Sequence, residues 1–123
     1  MVKIKALLAK IVANINTLNS KTAVSTTYAT VNSNITASRA QCQLLKIGNT
    51  VFITIAMGNI TSSVNTNTTL FTVPTGYRPS SEATVQGYVG SAEGNFTIST
   101  AGIVRQTLTS SVQNCYAAGF YTV

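Results

Sequence analysis

Apolar side chains recur at Met1, Ile4, Leu8, Ile11, Ile15 and Leu18, an uninterrupted 3-4-3-4-3 spacing. On a helix that spacing draws a narrow seam suited to burial against copies of itself. With Met1, Leu8 and Ile15 at heptad position a, Ile4, Ile11 and Leu18 fall at d. Leu or Ile at a with Ile at d disfavours dimers and shifts the preference to trimers or tetramers. Ala6, Ala9 and Ala13 favour helix, and Leu7 and Val12 widen the stripe as a multi-stranded bundle needs. Three heptads run for about 30 Å and are marginal alone, so the domain behind them has to help hold the assembly. Two other readings are a core helix of a monomeric domain and a cationic helix lying on a membrane surface.

After residue 40 the period changes to that of β-strands. Cys42 to Ile47 and Thr50 to Met57 alternate around Gly48-Asn49, a hairpin signal. In the second strand Val51, Ile53, Ile55 and Met57 share one face, and Phe52, Thr54 and Ala56 the other. Residues 58–69 read as a polar loop before a short strand, Leu70 to Val73. Pro74-Thr75-Gly76-Tyr77-Arg78-Pro79 is turn chemistry, because prolines break pairing and Gly76 admits positive φ. Strands follow at Ala83–Val89, Asn95–Ser99, Ile103–Leu108 and Cys115–Val123, with a flexible loop expected at Gly90–Gly94 and a tight turn at Thr100–Gly102. Short strands every 8–12 residues or so predict an antiparallel β-sandwich, jelly-roll-like. The expected organisation is a trimerising coiled coil over 1–21, a neck over 22–39 and a β head over 40–123. The neck is uncertain in form. Val24, Tyr28, Val31 and Ile35 repeat a helical 4-3-4 spacing out of phase with the first seam, but its β-branched residues weaken a helix.

Composition narrows function. The chain has no His and no Asp, and its only carboxylate side chains are Glu82 and Glu93. A Ser-His-Asp triad cannot be built, and His-ligated metals and His acid–base chemistry are excluded. A two-carboxylate glycosidase would need both glutamates, or copies from neighbouring subunits. The expectation is a protein that is not an enzyme and uses no metal or cofactor. Lys3, Lys5, Lys10 and Lys21 lie on or beside the helix, and residues 22–123 carry a net charge of only +2. Basic residues clustered on the folded domain would mark a nucleic-acid binder, so no nucleic-acid partner is expected. No segment is long enough to span a bilayer, and Lys10 interrupts the apolar run a signal peptide would need. The N-x-Ser/Thr sequons at Asn34, Asn59, Asn67 and Asn95 are chance features of an Asn/Thr-rich chain. Cys42 and Cys115 fit no metal spacing. They read as buried apolar fillers, with a bridge between first and last head strands as the other option.

One series of segments is familiar. Lys46-Ile47-Gly48-Asn49-Thr50-Val51 is followed by Leu70-Phe71-Thr72-Val73-Pro74-Thr75-Gly76-Tyr77-Arg78-Pro79-Ser80. Then come Asn95-Phe96-Thr97-Ile98, Gly102 and the closing Phe120-Tyr121-Thr122-Val123. Residues 42–123 thus resemble the C-terminal head domains of bacteriophage tail fibres and baseplate receptor-binding proteins of Gram-positive phages and prophages. The resemblance implies a homotrimeric head in the virion, at the tail fibre or baseplate tip. It implies attachment to host cell-wall polysaccharide or teichoic acid without cleavage, and contacts with other tail or baseplate proteins. Receptor-binding proteins of this group usually begin with a baseplate-docking part, so the chain is expected to be a fragment or a small fibre tip delivered by another protein.

Saccharide sites combine an aromatic face with polar groups for ring hydroxyls, and Tyr supplies both at low entropic cost. The candidates are Tyr88 and Tyr116, and less strongly Tyr121, with Glu93, Asn95, Arg105, Gln113 and Asn114 as polar partners. Tyr77 and Arg78 read as structural parts of their turn, and either Phe120 or Tyr121 has to face the core. Rival readings are a structural fibre tip or spacer without receptor contact, a trimeric cell-surface adhesin or cytokine-like ligand, and a glycan-cleaving enzyme.

Overall fold

The computed structural model describes residues 2–107 and 114–123. A helix, α1 (Val2–Thr22), precedes nine strands: β1 (Val24–Tyr28), β2 (Thr30–Val31), β3 (Arg39–Ile47), β4 (Thr50–Gly58), β5 (Phe71–Thr72), β6 (Ala83–Val89), β7 (Ala92–Ile98), β8 (Ile103–Gln106) and β9 (Cys115–Thr122). The fold is mainly β, with one N-terminal helix. All described side chains of α1 from Lys3 to Ser20 are exposed. Ile4, Leu8, Ile11, Ile15 and Leu18 are between 45 and 60 % accessible in the single chain.

The strands form one antiparallel sheet in the order β1-β3-β4-β9-β6-β7-β8-β5-β2, where a two-sheet sandwich was the expectation. The sheet nearly closes on itself, and Ala29 explains how. This one residue separates β1, at one margin, from β2, at the other. Its amide donates to the Cys42 carbonyl (2.9 Å), extending the β1·β3 ladder, and three residues later the Asn32 amide donates to the Leu70 carbonyl (3.0 Å) beside β5. The chain steps from one margin to the other without a loop, which brings the margins together and limits the exposed strand edges that would otherwise recruit other chains.

That step also corrects the helical reading of Val24, Tyr28 and Val31. Val24–Tyr28 pairs along its full length with β3, Val24 opposite Ile47 and Tyr28 opposite Gln43. Five residues fit a 4-3-4 spacing and a strand alike. The β-branched Val24, Thr26 and Thr27 suit a pleated surface, and β3 supplies an edge to pair with. Ile35 and Ala37 are half-buried against the core, as partners of the 58–70 segment rather than as helix. There the Thr61 amide donates to the Thr36 carbonyl and the Thr36 amide to Ser62 Oγ. Ile60 and Val64 turn inward to plug the barrel, and Asn59 takes a left-handed turn (φ 51°), a conformation Asn tolerates better than most residues.

The hairpins follow their turn residues. Gly48-Asn49 joins β3 to β4, with φ +59° at Gly48, the glycine-first pattern of a two-residue hairpin. At Ser99–Gly102 the Gly102 amide closes onto the Ser99 carbonyl. The Pro74–Pro79 turn is pinned from three sides. Arg78 Nε donates to the Val73 carbonyl (2.9 Å), the Tyr121 hydroxyl donates to the Tyr77 carbonyl, and the Tyr77 hydroxyl donates to Ser25 Oγ (2.8 Å). Tyr77 and Arg78 therefore serve the turn. A Cβ on Gly102 would lie 2.6 Å from the Val73 carbonyl oxygen and 2.8 Å from Arg78 Nε, so only glycine lets the β7–β8 turn sit against this motif.

Alternation along β4 places Val51, Ile53, Ile55 and Met57 in the core with Leu44, Leu70, Phe71, Phe96 and Ile98. Of the last-strand pair, Tyr121 is buried and Phe120 is 69 % exposed. Cys42 and Cys115 are both buried free thiols. They lie on β3 and β9, which flank β4, with Cys42 opposite Ile55 and Cys115 opposite Met57. Two strand spacings put them about 10 Å apart, beyond disulfide reach.

Burial pushes the Cys42 thiol up from 9.0 to about 12 and the Cys115 thiol to about 11. Burial, reinforced by Cys42, also raises the Tyr121 phenol. These groups hold protons more tightly folded than unfolded, so their contribution is complete below pH 9 and is lost as pH climbs toward 11–12. Each deprotonating group costs about 1.4 kcal/mol per pH unit over its window. The midpoint of thermal unfolding is expected to fall steadily between pH 9 and 11, and a flat profile would show that the thiols are not desolvated.

Candidate functional site

The register across β9, β6 and β7 brings three of the predicted residues into one row. Tyr116 on β9 is opposite Tyr88 on β6, and Tyr88 is opposite Glu93 on β7. All three point outward, because Val85, Val89, Phe96, Ile98, Cys115 and Ala117 take the alternate, buried positions. Neighbouring strands are about 4.8 Å apart, so the two phenol rings and the carboxylate make a continuous exposed strip. Tyr88 is 52 % and Tyr116 46 % exposed.

A second outward row lies two residues along. Gln86 on β6 is opposite Asn95 on β7, and Asn95 is tied to Thr107 beyond β8. The Thr107 amide donates to the Asn95 carbonyl (2.9 Å), and the Asn95 amide donates to Thr107 Oγ1 (3.3 Å). Between the rows Gly87 sits opposite Gly94. Tyr88 and Glu93 on one side and Gln86, Asn95 and Thr107 on the other border an open groove of about 490 Å³ floored by the two glycines. The groove offers amide, hydroxyl and carboxylate groups beside an aromatic face, and none of the described residues that line it is cationic.

Gly87 is required by close approach. A Cβ there would run into the Tyr116 carbonyl oxygen and lie 2.7 Å from Ala117 Cα. The missing side chain lets β6 close on β9, and that approach sets Tyr88 beside Tyr116. The segment Gly90–Gly94, expected as a flexible loop, is a hairpin instead. Ala92–Gly94 belong to β7, and only Gly90-Ser91 turn, with φ +67° at Gly90. Glu93 is therefore carried on a paired strand.

The other candidates lie apart from the groove. Arg105 projects outward from β8 opposite Thr97, two residues from Thr107 and outside the groove lining. Asn114 holds the barrel end together. Its Oδ1 accepts the Asn59 amide (3.2 Å) and its carbonyl accepts the Gly90 amide (2.7 Å). Tyr121 is in the core. Gln113 and the predicted strand residue Leu108 lie outside the described residues. Gln86 and Thr107 were not among the expected residues. Their membership depends on the register with β7, and the glycines at 87 and 94, each one residue from a candidate, were the available signal.

Among the described residues no group of three or more His, Cys, Asp or Glu is placed to hold a metal ion, and no helix is long and apolar enough to cross a membrane. No protein-family model and no curated protein matches the chain. The nearly closed antiparallel sheet with a leading helix defines its structural class, and a solved structure shares it. The chain is similar to the receptor binding protein (gp15) of Listeria phage PSA, with a TM-score of 0.59 and 16 % sequence identity, over 98 % of this chain and 79 % of that one. The likeness shows a receptor-binding-protein-like fold.

Proposed function

We propose that this protein is a receptor-binding component of a phage tail, at a fibre or baseplate tip, that attaches the virion to a host cell-surface saccharide without cleaving it. The row Tyr116–Tyr88–Glu93 beside the glycine-floored groove carries this reading. Sugar rings present C–H faces that pack on aromatic rings and hydroxyls that exchange hydrogen bonds with amides and carboxylates. A chain whose fold matches a phage receptor binding protein, with such a strip on its outer surface, has the means to hold a polymer. Among the described lining residues, one carboxylate and no cation favour a neutral or amine-bearing sugar over the phosphates of a teichoic-acid backbone.

Retention without hydrolysis fits the placement of the glutamates. Glu93 lies opposite Tyr88, whereas Glu82 precedes β6 by one residue. Six residues of extended chain separate those positions, about 20 Å, against the roughly 5–9.5 Å that acid–base glycosidases use. Within one chain the two carboxylates do not share a bond.

In the proposed assembly α1 forms a three-stranded coiled coil through Ile4, Leu8, Ile11, Ile15 and Leu18, and three heads act together. The seam fits this role because it is exposed in the single chain. Labelled protein applied to a panel of Gram-positive cells and purified wall polysaccharides tests the reading. Tyr88→Ala is expected to weaken each site about tenfold, the effect of roughly 1.4 kcal/mol, with unchanged melting. No binding to any surface would leave a structural spacer as the function. Release of reducing ends, lost on changing Glu93, would make the protein an enzyme.

A further inference from the structure

The outward row that holds Gln86 and Asn95 continues past β6. One residue on from the paired Gly87 and Ala117, Ala118 on β9 follows Gln86 in that row, and Thr54 on β4 is opposite Ala118. Outward neighbours along a strand are about 7 Å apart, so Tyr116 and Phe120 stand about 14 Å apart on either side of Ala118. Phe120 is opposite Phe52, and their rings lie 5.9 Å apart at 46°. Tyr116, Ala118, Phe120, Phe52 and Thr54 are all exposed. They make a shallow valley with aromatic walls and an alanine–threonine floor, open at its β6 end to the groove. The valley side chains are uncharged, whereas the groove carries Glu93 with Gln86, Asn95 and Thr107.

We infer that this valley is a second sugar subsite, continuous with the groove, that takes a methyl-bearing unit of the same saccharide chain, an N-acetylated or a 6-deoxy sugar. The inference rests on the saccharide reading of the groove and names the ligand which that reading leaves open. Continuity selects the occupant. Tyr116 borders both the Tyr88–Glu93 row and the valley, so a ligand packed on its ring reaches either. From Asn95 on β7 to Thr54 on β4 is three strand spacings, about 14 Å. That length exceeds one pyranose ring and suits a disaccharide or longer segment laid across the strands. Chemistry selects the unit. A sugar hydroxyl over Ala118 would give up water between apolar walls without gaining a partner. A methyl group in the same place removes apolar surface from water on both sides of the contact, and the gain grows with that area. Thr54 and Gln86, on either side of Ala118, supply polar groups for the ring hydroxyls. The short side chain of Ala118 is what leaves the floor open.

The test titrates the full chain with mono-, di- and trisaccharides of N-acetylglucosamine, of rhamnose and of glucose, followed by amide NMR. The disaccharide of N-acetylglucosamine or of rhamnose is expected to bind about tenfold tighter than its monosaccharide, and the series that shows the gain identifies the source of the methyl group. Glucose is expected to gain nothing with length. Phe120→Thr removes a wall and Ala118→Gln fills the floor. Both positions are exposed on a strand, so melting is expected to stay as in the wild type. Each variant is expected to abolish the disaccharide gain and to leave glucose binding unchanged, whereas Tyr88→Ala weakens every ligand. Equal affinity for mono- and disaccharides, an equal gain for glucose, or a gain that survives both variants overturns the subsite and leaves the groove reading intact. So does a wild type that holds a cell surface or wall polymer but none of the three series. If Tyr88→Ala changes nothing while Phe120→Thr removes binding, the groove reading falls and the valley stands. A lower sedimenting mass for Phe120→Thr at unchanged sugar affinity gives the valley to another protein chain and overturns the inference. A wild type that binds neither these sugars nor any cell or wall polymer overturns both readings.

Discussion

On the proposed trimeric reading, Ile11→Asp is expected to give single chains and to lower retention on cells by roughly 10²–10⁴-fold. Ile11 occupies a central d position of the α1 seam and is 45 % exposed in the single chain. In a three-stranded seam the substitution would bring three carboxylates together in an apolar core, a burial that only neutralisation or dissociation relieves. The head should be unaffected, because the described α1 side chains are exposed rather than buried in it. The check is light-scattering mass alongside cell binding over a concentration series. In the proposed assembly each saccharide contact would be weak, and linkage would make the second and third contacts nearly intramolecular. Full cell retention by a true monomer would therefore reject avidity as the basis of attachment.

The second large effect is expected at Gly87. Gly87→Val drives two methyl groups into the space held by the Tyr116 carbonyl and Ala117. Either β6 leaves β9 or both strands shift, at a cost of about 1–3 kcal/mol or more, which lowers the melting temperature by roughly 5–20 °C. Saccharide binding is expected to disappear even at temperatures where the head stays folded, because Tyr88 and Tyr116 lose their common row. Gly90→Ala is the control. Nothing lies within 4 Å of its added methyl, and its cost comes only from positive φ, about 1–2 kcal/mol. Binding by folded Gly87→Val at wild-type strength would move the site away from this strip.

Local pattern and long-range pairing account for what could be read in advance. The strands from Cys42 onward were legible because one face is buried, as the run Val51, Ile53, Ile55, Met57 shows, and alternation marks it. The Gly48-Asn49 and Thr100–Gly102 turns carried their own chemistry. Val24–Tyr28 was not legible, since its strand character depends on pairing with β3, roughly fifteen to twenty-three residues further along the chain. The single sheet, in place of two, was hidden for the same reason: it depends on Ala29 reaching the Cys42 carbonyl on one side while Thr30 pairs with Thr72 on the other. Within the site, residue type pointed to Tyr88, Glu93, Asn95 and Tyr116, but only register could separate them from Asn114, which fastens the barrel end, and Arg105, which stands outside the groove.

The step at Ala29 has a mechanical consequence. Tension arriving along α1 enters β1, whose five residues pair with β3 in antiparallel register. A pull along that strand axis strains its hydrogen bonds together rather than one after another. Whatever passes Ala29 is handed at once to β2 on the opposite margin. In the proposed tail role, a pull between virion and anchored tip would thus spread around the whole ring of strands, and the junction of helix and sheet would resist tearing.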